Sequence, residues 1–482
     1  MSGHRSPQQR SQQRAHQRSQ QRPSRGTRGA AYDLLHAVAA DDAYANLVWP
    51  DILADARFDD RDSAFATELA YGTLRWRGFL DAVITECLDR PLDRLDPRVL
   101  DLLRLGTYQL LMMSTAEHAA VAETVTLAKS VAGEGPARLV NAILRRIARE
   151  GDREAWRERV APADTVSDLS VAWSHPQWIT TALAEALATE GRRGELADLL
   201  EADNVPARPT LVTRPSILGL DELLSESGVE PGRWSPYAAV LRRGRPEDIA
   251  AIRDGRAGVQ DEGSQLVVLA LAEAPLDGSD RTWVDLAAGP GGKAALLAGL
   301  AVERGAHLIA VEPHEHRARL VRQALRAYPE GTAEVICADG REALPPASAD
   351  RVLLDAPCTG LGALRRRPEA RWRRSPADLA TLGPLQRELL EAALTIVRPG
   401  GVVAYATCSP HRAETDAVVD DVLRRMSDRG EEVEILDARA ALSGVDDLGS
   451  GPRVRLWPHI HGTDGMYLAL LRRGRAAIPS PM

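Results

Sequence analysis

The feature that most limits the possible folds is a run of five short apolar segments in the second half of the chain. They are TWVDLAAG (282–289), HLIAVEP (307–313), AEVICADG (333–340), DRVLLDAP (350–357) and GVVAYATCS (401–409). Segments with helical periodicity, such as EHRARLVRQALRAY and PLQRELLEAALTIV, follow some of them. Short apolar strands that alternate with helices are typical of a parallel, doubly wound sheet. We therefore predict an α/β domain of this kind over residues 255–474.

Each of the five predicted strands ends in a polar or reactive residue. These residues are Asp285 before a glycine-rich turn, Glu312, Asp339, Asp355 with Cys358, and Cys408. Ligands of parallel α/β sheets bind at the carboxyl ends of the strands. The sequence therefore predicts one functional site at this edge of the sheet.

Two further domains are predicted upstream. Residues 29–149 have helical periodicity, and one segment opens with Asp96 as an N-cap and Pro97 at the first helical position. Residues 150–254 combine a helix with short β-like pieces such as RPTLVTRPS, which indicates a small α/β linker domain.

The two ends of the chain are not expected to join these domains. Residues 1–28 contain seven arginines and no acidic residue, so we expect a disordered basic arm. The arm either attracts phosphate groups or is a poorly constrained extension, and the sequence leaves both open. Residues 475–482 are expected to form a tail.

The composition argues against several classes of protein. No apolar run approaches the roughly 20 residues of a membrane helix, and the N-terminus lacks an apolar signal segment. Only four cysteines are present, without paired spacing, which disfavours a disulfide framework or a zinc site. A cytoplasmic protein without a metal or a membrane partner is expected.

The turn DLAAGPGGKA predicts a nucleotide- or nucleoside-binding loop, with a plain strand–helix turn as the alternative. Its glycines allow the backbone to approach a ligand closely. A Walker loop is disfavoured because Ala287 stands where that motif needs glycine, and neither Ser nor Thr follows Lys293. The dinucleotide fingerprint is met loosely, with Glu312 placed to accept from a ribose. This pattern alone leaves NAD and S-adenosylmethionine as alternatives.

Lysine is nearly absent from this chain, which makes Lys293 conspicuous. Of 60 basic residues only Lys129 and Lys293 are lysines, and the rest are arginines. A lysine is a slim point donor, whereas arginine presents a wide planar fork. We therefore predict a specific role for Lys293 in the glycine-rich loop.

Two of the four cysteines are predicted to converge on the same crevice. Cys358 lies in LLDAPCTGLG and Cys408 in ATCSP, and no further residue has the spacing of a metal ligand to them. Substitution at C5 of cytosine needs such groups, since a thiolate must add to C6 and a base must later remove the C5 proton. Hydride transfer needs no sulfur, which disfavours NAD. Cys87 and Cys337 are expected to be buried packing residues.

The chain resembles the RsmB/NOL1/NOP2/Sun family of RNA cytosine-C5 methyltransferases, in particular the members that act on small-subunit ribosomal RNA. The matching segments are VQDEGSQL, DLAAGPGGK, AVEPHEHR, DGREALP, LLDAPCTGLGALRRRPEARW, YATCSPHRAET and DGMYLALL. Residues 29–149 are similar to the NusB-like RNA-binding domain of those members. The resemblance implies a Rossmann-like methyltransferase domain, S-adenosylmethionine as cofactor and RNA as partner.

The resemblance also implies roles for individual residues. Cys408 would be the covalent nucleophile, Cys358 would assist product release, and Asp355 and Lys293 would contact the target base. Glu312 would bind the ribose of the cofactor and Asp339 its adenine region. The implied cofactor-binding residues are Ala287, Ala288, Gly289, Pro290, Gly291, Gly292, Lys293, Glu312, Asp339 and Asp355. Where the family commonly reads Glu-Glu-Asn after the nucleophile, this chain has Ala413-Glu414-Thr415.

The basic segment RRRPEARWRR follows the Cys358 loop. Its predicted RNA-binding residues are Arg365, Arg366, Arg367, Arg371, Trp372, Arg373 and Arg374. Arginines would contact phosphates and the indole would stack on a base. A solvated basic helix face is the alternative interpretation.

Taken together, the sequence predicts a monomeric enzyme that methylates cytosine C5 in ribosomal RNA or in a small-subunit precursor. Transfer RNA is an alternative substrate. A non-catalytic RNA-binding or assembly factor is the alternative from another class of protein.

Overall fold

The computed structural model describes residues 26–40 and 43–474, which form two compact units. The described part of the first unit comprises residues 26–40, 43–184 and 366–373. The second comprises residues 185–365 and 374–474. Most of the predicted basic arm and the whole predicted tail lie outside the described residues. Residues 26–28, which were assigned to the arm, instead begin the first helix.

The first unit is helical. Its helices are α1 (Gly26–Ala40), α2 (Ala45–Ala56), α3 (Asp60–Arg75), α4 (Arg77–Glu86), α5 (Pro97–Met112), α6 (Glu117–Ala132), α7 (Glu134–Glu150), α8 (Arg153–Val160), α9 (Val166–Ala172), most of α10 (Gln177–Thr189) and the short α17 (Ala370–Arg373). Helix α5 begins as predicted, because the Asp96 side chain accepts a hydrogen bond from Arg98 N at 2.9 Å and Pro97 occupies the first turn. Cys87 is buried beyond the end of α4, as predicted.

The predicted linker domain of residues 150–254 is divided between the two units. Its first part, including α8 and α9, belongs to the helical unit. The reason is the packing of Trp156, which is almost fully buried and donates its indole N–H to the Ile147 carbonyl of α7 at 3.1 Å. An aromatic side chain of this size anchors the helix that carries it.

The second unit contains a small antiparallel sheet. Its strands are β1 (Thr210–Thr213), β2 (Val229–Pro231), β3 (Ala238–Leu241) and β4 (Ala257–Val259), in the order β2-β3-β1-β4. Helices α12 (Leu220–Leu224) and α13 (Ala250–Arg253) share a core with it, and α11 (Leu196–Ala202) precedes it along the chain. Strand β4 lies beyond the predicted boundary at residue 254, because it pairs with β1.

The large sheet follows. Its strands are β5 (Thr282–Asp285), β6 (His307–Val311), β7 (Ala333–Ile336), β8 (Ala349–Asp355), β9 (Val397–Thr407), β10 (Val433–Leu436), β11 (Val454–Leu456) and β12 (Met466–Arg473). The order is β10-β12-β9-β8-β5-β6-β7, with β11 paired to β12. Strands β5 to β9 pair in parallel, whereas β12 runs antiparallel to β9. This confirms the predicted Rossmann-like, mostly parallel sheet.

Helices cover both faces of this sheet because the strand side chains alternate in direction. They are α14 (Glu262–Glu273), α15 (Gly292–Glu303), α16 (Glu315–Leu325), α18 (Pro376–Ile396), α19 (Asp416–Asp428) and the short α20 (Pro458–His461). In β9, Val402 and Ala404 join the core with α14 and α15, and Val403 and Tyr405 join the core with α18 and α19. The continuous apolar character of the strands is therefore explained by burial on both faces.

Candidate active site

Four neighbouring parallel strands bring the predicted residues to one edge of the sheet. Strand β5 ends at Asp285, β8 ends at Asp355, and Glu312 and Cys408 directly follow β6 and β9. Because these strands run in the same direction, their carboxyl ends meet at one edge. The predicted crevice is thus formed by residues that lie far apart in the sequence.

The two thiols of this edge lie in contact. Cys358 follows β8 and Cys408 follows β9, and their sulfur atoms are 3.4 Å apart. Both side chains are partly buried and neither is in a disulfide. Backbone hydrogen bonds fix the two loops, since Ala356 N donates to the Ala406 carbonyl and Gly362 N to the Cys408 carbonyl, each at 2.8 Å.

The two thiols differ in acidity. The hydrogen bond from Cys358 lowers the pKa of Cys408, since it stabilises the thiolate, and Lys293 acts in the same direction. The same hydrogen bond, together with burial, raises the pKa of Cys358 well above its usual range. The arrangement therefore places the negative charge on Cys408 and the proton on Cys358.

Lys293 lies beside the thiols in an ion pair. Its ammonium donates to Asp355 Oδ2 at 2.8 Å and to the Ser264 hydroxyl at 3.2 Å. Burial lowers the pKa of Lys293, but Asp355, Cys408 and Asp285 together outweigh burial and leave the pKa above its usual value. Asp355 Oδ1 is buried and has no hydrogen-bond partner among the described residues. The pair therefore presents a cation and a free carboxylate oxygen to the crevice.

The glycine-rich loop connects β5 to α15 and packs closely against Glu312. A Cβ atom at Gly289 would lie 2.2 Å from Oε2 of Glu312, and Gly291 adopts a φ of +107°. Side chains at these positions would clash or be strained. Glu312 is buried, and its other oxygen, Oε1, accepts from the His314 backbone N–H at 3.1 Å. The predicted loop residues, 287–293, and the predicted ribose acceptor therefore lie side by side.

Asp339 and Cys337 follow β7 and are less closely tied to the crevice. Asp339 is half-exposed and forms a two-pronged ion pair with Arg341. The hydrogen bonds from Arg341 lower the pKa of Asp339 to about 2. Cys337 is exposed, so its expected burial in the core is wrong. Strand β7 ends at Ile336, one residue before it.

Gln260 and Ser264 are polar residues of this region that were not predicted as site residues, whereas Asp285 was placed at the site as the end of a strand. Asp285 is fully buried, and neither of its carboxylate oxygens has a hydrogen-bond partner among the described residues. The carboxamide of Gln260 is likewise buried and unpartnered, and lies 3.9 Å from where a Cβ on Gly292 would be. Gln260 and Ser264 both belong to VQDEGSQL, a segment whose resemblance to the family was the only signal that could have found them. Such unsatisfied groups can bind polar atoms of a ligand.

Two arginines of the predicted RNA-binding segment are buried in the protein interior. Arg365 is buried, with Nη2 at 3.7 Å from Asp261 and 3.9 Å from Asp464. Arg371 is completely buried and donates to the carbonyls of Arg75 and Ser174 at 3.2 and 3.1 Å. The guanidinium groups of these two arginines therefore lie against acceptors of the protein interior, and their contact with RNA stays a prediction.

The remaining residues of the segment differ in exposure. Trp372 packs against Gly78 and lies under the Arg77 guanidinium, and its indole donates to the Leu74 carbonyl at 3.3 Å, so the ring is not an open stacking platform. Arg373 lies over the Tyr44 ring, and Arg374 is 3.8 Å from Asp378. Arg366 and Arg367 are exposed.

The described residues contain neither a metal-binding cluster nor a membrane-spanning helix. No cluster of three or more His, Cys, Asp or Glu side chains within residues 26–40 and 43–474 is arranged to hold a metal ion. In the same part of the chain no helix combines the length and apolarity needed to cross a membrane.

Comparison with known proteins relates both units to described families. Residues 271–472 match the family model for 16S rRNA methyltransferase RsmB/F, and residues 25–149 match the NusB family. The "Putative methyltransferase Rv1407" of Mycobacterium tuberculosis is 51% identical over 455 residues, which cover 94% of this chain and 97% of that protein. The "Ribosomal RNA small subunit methyltransferase B" of Vibrio cholerae is 31% identical over 429 residues, covering 87% and 92% of the two chains.

The fold is also found among solved structures. The crystal structure of PH0851 superimposes with a TM-score of 0.73 at 24% identity, covering 94% of this chain and 99% of the other. The similarity to the Vibrio protein extends over nearly the whole of both chains. The chain therefore belongs to the RsmB/F family of 16S rRNA methyltransferases.

Proposed function

We propose that this enzyme methylates C5 of cytosine in small-subunit ribosomal RNA through a covalent bond between Cys408 and C6 of the base. The observation that carries the proposal is the thiol pair, with sulfur atoms 3.4 Å apart, beside the ion pair of Lys293 and Asp355. An RNA methyltransferase that modified an exocyclic amine or a ribose hydroxyl would have no use for two thiols at the carboxyl edge of its sheet.

The residues around the glycine-rich loop fit the methyl donor of the family, S-adenosylmethionine. Gly289 packs against the side chains of Glu312 and Arg317, and Gly291 packs against α16, so the missing side chains let the loop lie close to Glu312. The buried carboxylates of Asp285 and Glu312 can accept from ammonium and ribose hydroxyl groups. When bound, S-adenosylmethionine supplies the electrophilic methyl group that an activated C5 accepts. The loop residues 287–293 with Glu312 are assigned to its binding, and Asp339 to its adenine end.

Cys408 activates the base. C5 of cytosine is a poor nucleophile while the ring is aromatic, and the bond from Cys408 Sγ to C6 converts C5 into the carbon of an enamine. The thiolate is the reactive form of cysteine. The hydrogen bond of Cys358 lowers the pKa of Cys408 and so favours that form.

Lys293 and Asp355 are assigned to the target base. Asp355 Oδ1 has no hydrogen-bond partner among the described residues. When the Cys408 thiolate adds to the ring and N3 takes up a proton from solvent, Oδ1 can accept a hydrogen bond from that N3–H. Lys293 holds the other oxygen, Oδ2, at 2.8 Å and so fixes the orientation of the carboxylate. The base must leave its stack to reach these groups.

Cys358 is assigned to product release. Its pKa is raised first by the hydrogen bond that it makes with Cys408. When Cys408 is bonded to C6, it no longer carries the charge that holds this proton, so the pKa of Cys358 falls. Cys358 can then release its proton to solvent and act as a thiolate. The thiolate takes up the C5 proton, and the electrons of that C–H bond re-form the double bond as the Cys408 thiolate leaves.

Thiol variants test the chemistry. Cys408→Ala should abolish methyl transfer to C5, because it removes the thiol assigned to add to C6. Cys358→Ala should leave a protein–RNA adduct that survives denaturing electrophoresis, because addition proceeds and release does not. Cys337→Ala, which changes an exposed cysteine outside the crevice, serves as the control and should retain activity. Undiminished methylation by Cys408→Ala would refute the assignment of the nucleophile.

The substrate requires a separate experiment. The names of the family and of the Vibrio relative point to 16S or small-subunit ribosomal RNA. Bisulfite sequencing of ribosomal and transfer RNA from a deletion strain should show the loss of 5-methylcytosine in small-subunit RNA only. Loss in transfer RNA alone would favour the alternative substrate, and no loss in either would favour a non-catalytic assembly role.

A further inference from the structure

Glu414 is a completely buried carboxylate on the loop that follows Cys408. The mechanism proposed above gives it no role, and it does not contact either sulfur by a hydrogen bond. Burying a carboxylate is costly unless donors surround it. The hydrogen-bond donors around the Glu414 carboxylate therefore indicate its role.

These donors come from the loop that carries the other thiol. Thr359, the residue after Cys358, donates its backbone N–H to Glu414 Oε1 at 2.7 Å and its hydroxyl to Oε2. Gln386 of α18 donates to Oε1 at 3.2 Å and also to the Pro357 carbonyl at 2.8 Å. The carboxylate thus holds the residues on both sides of Cys358.

A relay connects the same carboxylate to the Cys408 loop. The Ser409 hydroxyl lies 3.1 Å from the Thr359 hydroxyl, and it can donate there because the Thr359 proton is directed to Glu414. Tyr405 of β9 donates its hydroxyl to the Glu414 carbonyl at 2.7 Å. The residues next to each thiol are therefore joined through one side chain.

The charges around the thiols are distributed unequally. Asp355 acts on both sulfurs, Lys293 and Asp464 act on Cys408, and Glu414 acts on Cys358. The negative charge of Glu414 disfavours a thiolate at Cys358, whereas the positive charge of Lys293 favours one at Cys408. Both effects keep the shared proton on Cys358.

Building on the proposed function, we propose that Glu414 is a positioning residue that clamps the two thiol loops together and keeps Cys358 protonated, so that Cys408 alone serves as the nucleophile. Glu414 acts through Thr359 and Ser409 and touches neither substrate nor cofactor. The proposal requires both its hydrogen bonds and its charge.

The test is alkylation of the full-length protein without RNA. Brief treatment with iodoacetamide between pH 5 and 10, followed by tryptic digestion and mass spectrometry, resolves Cys358 and Cys408 because arginines separate their peptides. We expect Cys408 of the unmodified chain to react much faster than Cys358 at pH 7. Glu414→Gln keeps the shape and can still bond Thr359, but it removes the charge. The preference for Cys408 should then fall about tenfold, the effect of one unit in relative pKa.

Further variants separate the clamp from the charge. Thr359→Val removes the hydroxyl relay while leaving Glu414 in place, and should also reduce the preference for Cys408, whereas Thr359→Ser should restore it. Glu432→Gln makes the same change as Glu414→Gln at an exposed glutamate and should leave the preference unaltered. Thermal unfolding of each variant verifies that it is folded, and the Thr359 pair keeps the test valid if Glu414→Gln does not fold.

The outcomes distinguish this proposal from the proposed function. If folded Glu414→Gln and Thr359→Val both alkylate like the unmodified chain, the clamp is refuted, whatever the enzyme methylates. If the preference changes as expected but the unmodified chain transfers no methyl group to cytosine, the clamp stands and the proposed reaction is refuted. If the preference changes and methylation of C5 falls in parallel while Thr359→Ser restores both, the two proposals are supported together.

Discussion

Replacing Asp285 by asparagine should stabilise the protein in the absence of ligand. Asp285 is fully buried at the end of β5, and neither carboxylate oxygen has a hydrogen-bond partner among the described residues. Burial, and then the negative charge of Asp355, raises the pKa of Asp285 to about 7 from its usual 3.8. An ionised carboxylate in this position is therefore a cost to the folded state, whereas an amide is not ionised at any of these pH values.

The magnitude follows from proton linkage. Between about pH 4 and pH 7 the folded protein holds a proton on Asp285 that the unfolded chain has lost, so the stability contribution falls as the pH rises and is constant above pH 7. The interval between the usual pKa of 3.8 and the folded pKa of about 7 corresponds to about 4 kcal/mol. The amide introduced by Asp285→Asn cannot titrate. The free energy of unfolding of this variant should therefore exceed that of the unmodified protein by an amount that grows by about 4 kcal/mol as the pH rises from about 4 to 7.

Urea unfolding of both proteins at intervals between pH 4.5 and 8 measures this difference, in which the titration of all other groups cancels. Asp428→Asn, at an exposed position, is the matched control and should show no trend with pH. The same variant, Asp285→Asn, should bind S-adenosylmethionine more weakly by calorimetry, since the amide offers no negative charge to a cationic ligand. A difference that is independent of pH, or a variant that is less stable at pH 8, would refute the reasoning.

Three other perturbations have definite expectations. Lys293→Arg should lower kcat for methyl transfer at least about tenfold, because the wider guanidinium cannot occupy the space between Ser264 and Asp355. An unchanged kcat would show that a positive charge at this position is enough for catalysis. Arg371→Ala should lower the free energy of unfolding by about 3 kcal/mol in urea, since two buried carbonyls lose their donor, whereas exposed Arg367→Ala should not. Oxidation by diamide should join Cys358 to Cys408 in a disulfide, so that a thiol titration counts two of the four cysteines fewer, and dithiothreitol should restore them. If Cys358→Ser loses the same number of thiols, this expectation is contradicted.

The fold could be predicted because its determinants are local. The continuous apolar strands, the helical periods between them and the cap at Asp96 each depend on a few neighbouring residues, and the structure contains all of them. The antiparallel strand β12 and the division of residues 150–254 were not predicted. They depend on pairing and packing with residues distant in the sequence, such as Trp156 on α7.

The crevice could be predicted for a related reason. A residue at the carboxyl end of a parallel strand is placed by that strand, so Asp355, Cys358 and Cys408 needed no knowledge of distant partners to be brought together. Glu414 could not be found in this way. Its role depends on Thr359, 55 residues earlier, and on Gln386 of a different helix.

The basic segment shows how far local sequence can mislead. Six arginines around one tryptophan resemble an RNA-binding surface, yet Arg371 bonds to Arg75, 296 residues away, and Arg365 lies between two buried carboxylates. Arginine serves both purposes because its guanidinium satisfies several acceptors at once, whether they are phosphates or buried carbonyls. Loss of RNA binding in Arg371→Ala would therefore not identify an RNA contact, since the same substitution removes donors from the protein interior. A variant separates an RNA contact from a structural role only if it binds RNA less tightly at unchanged stability. We expect this result for Arg366 or Arg367 if they contact phosphates.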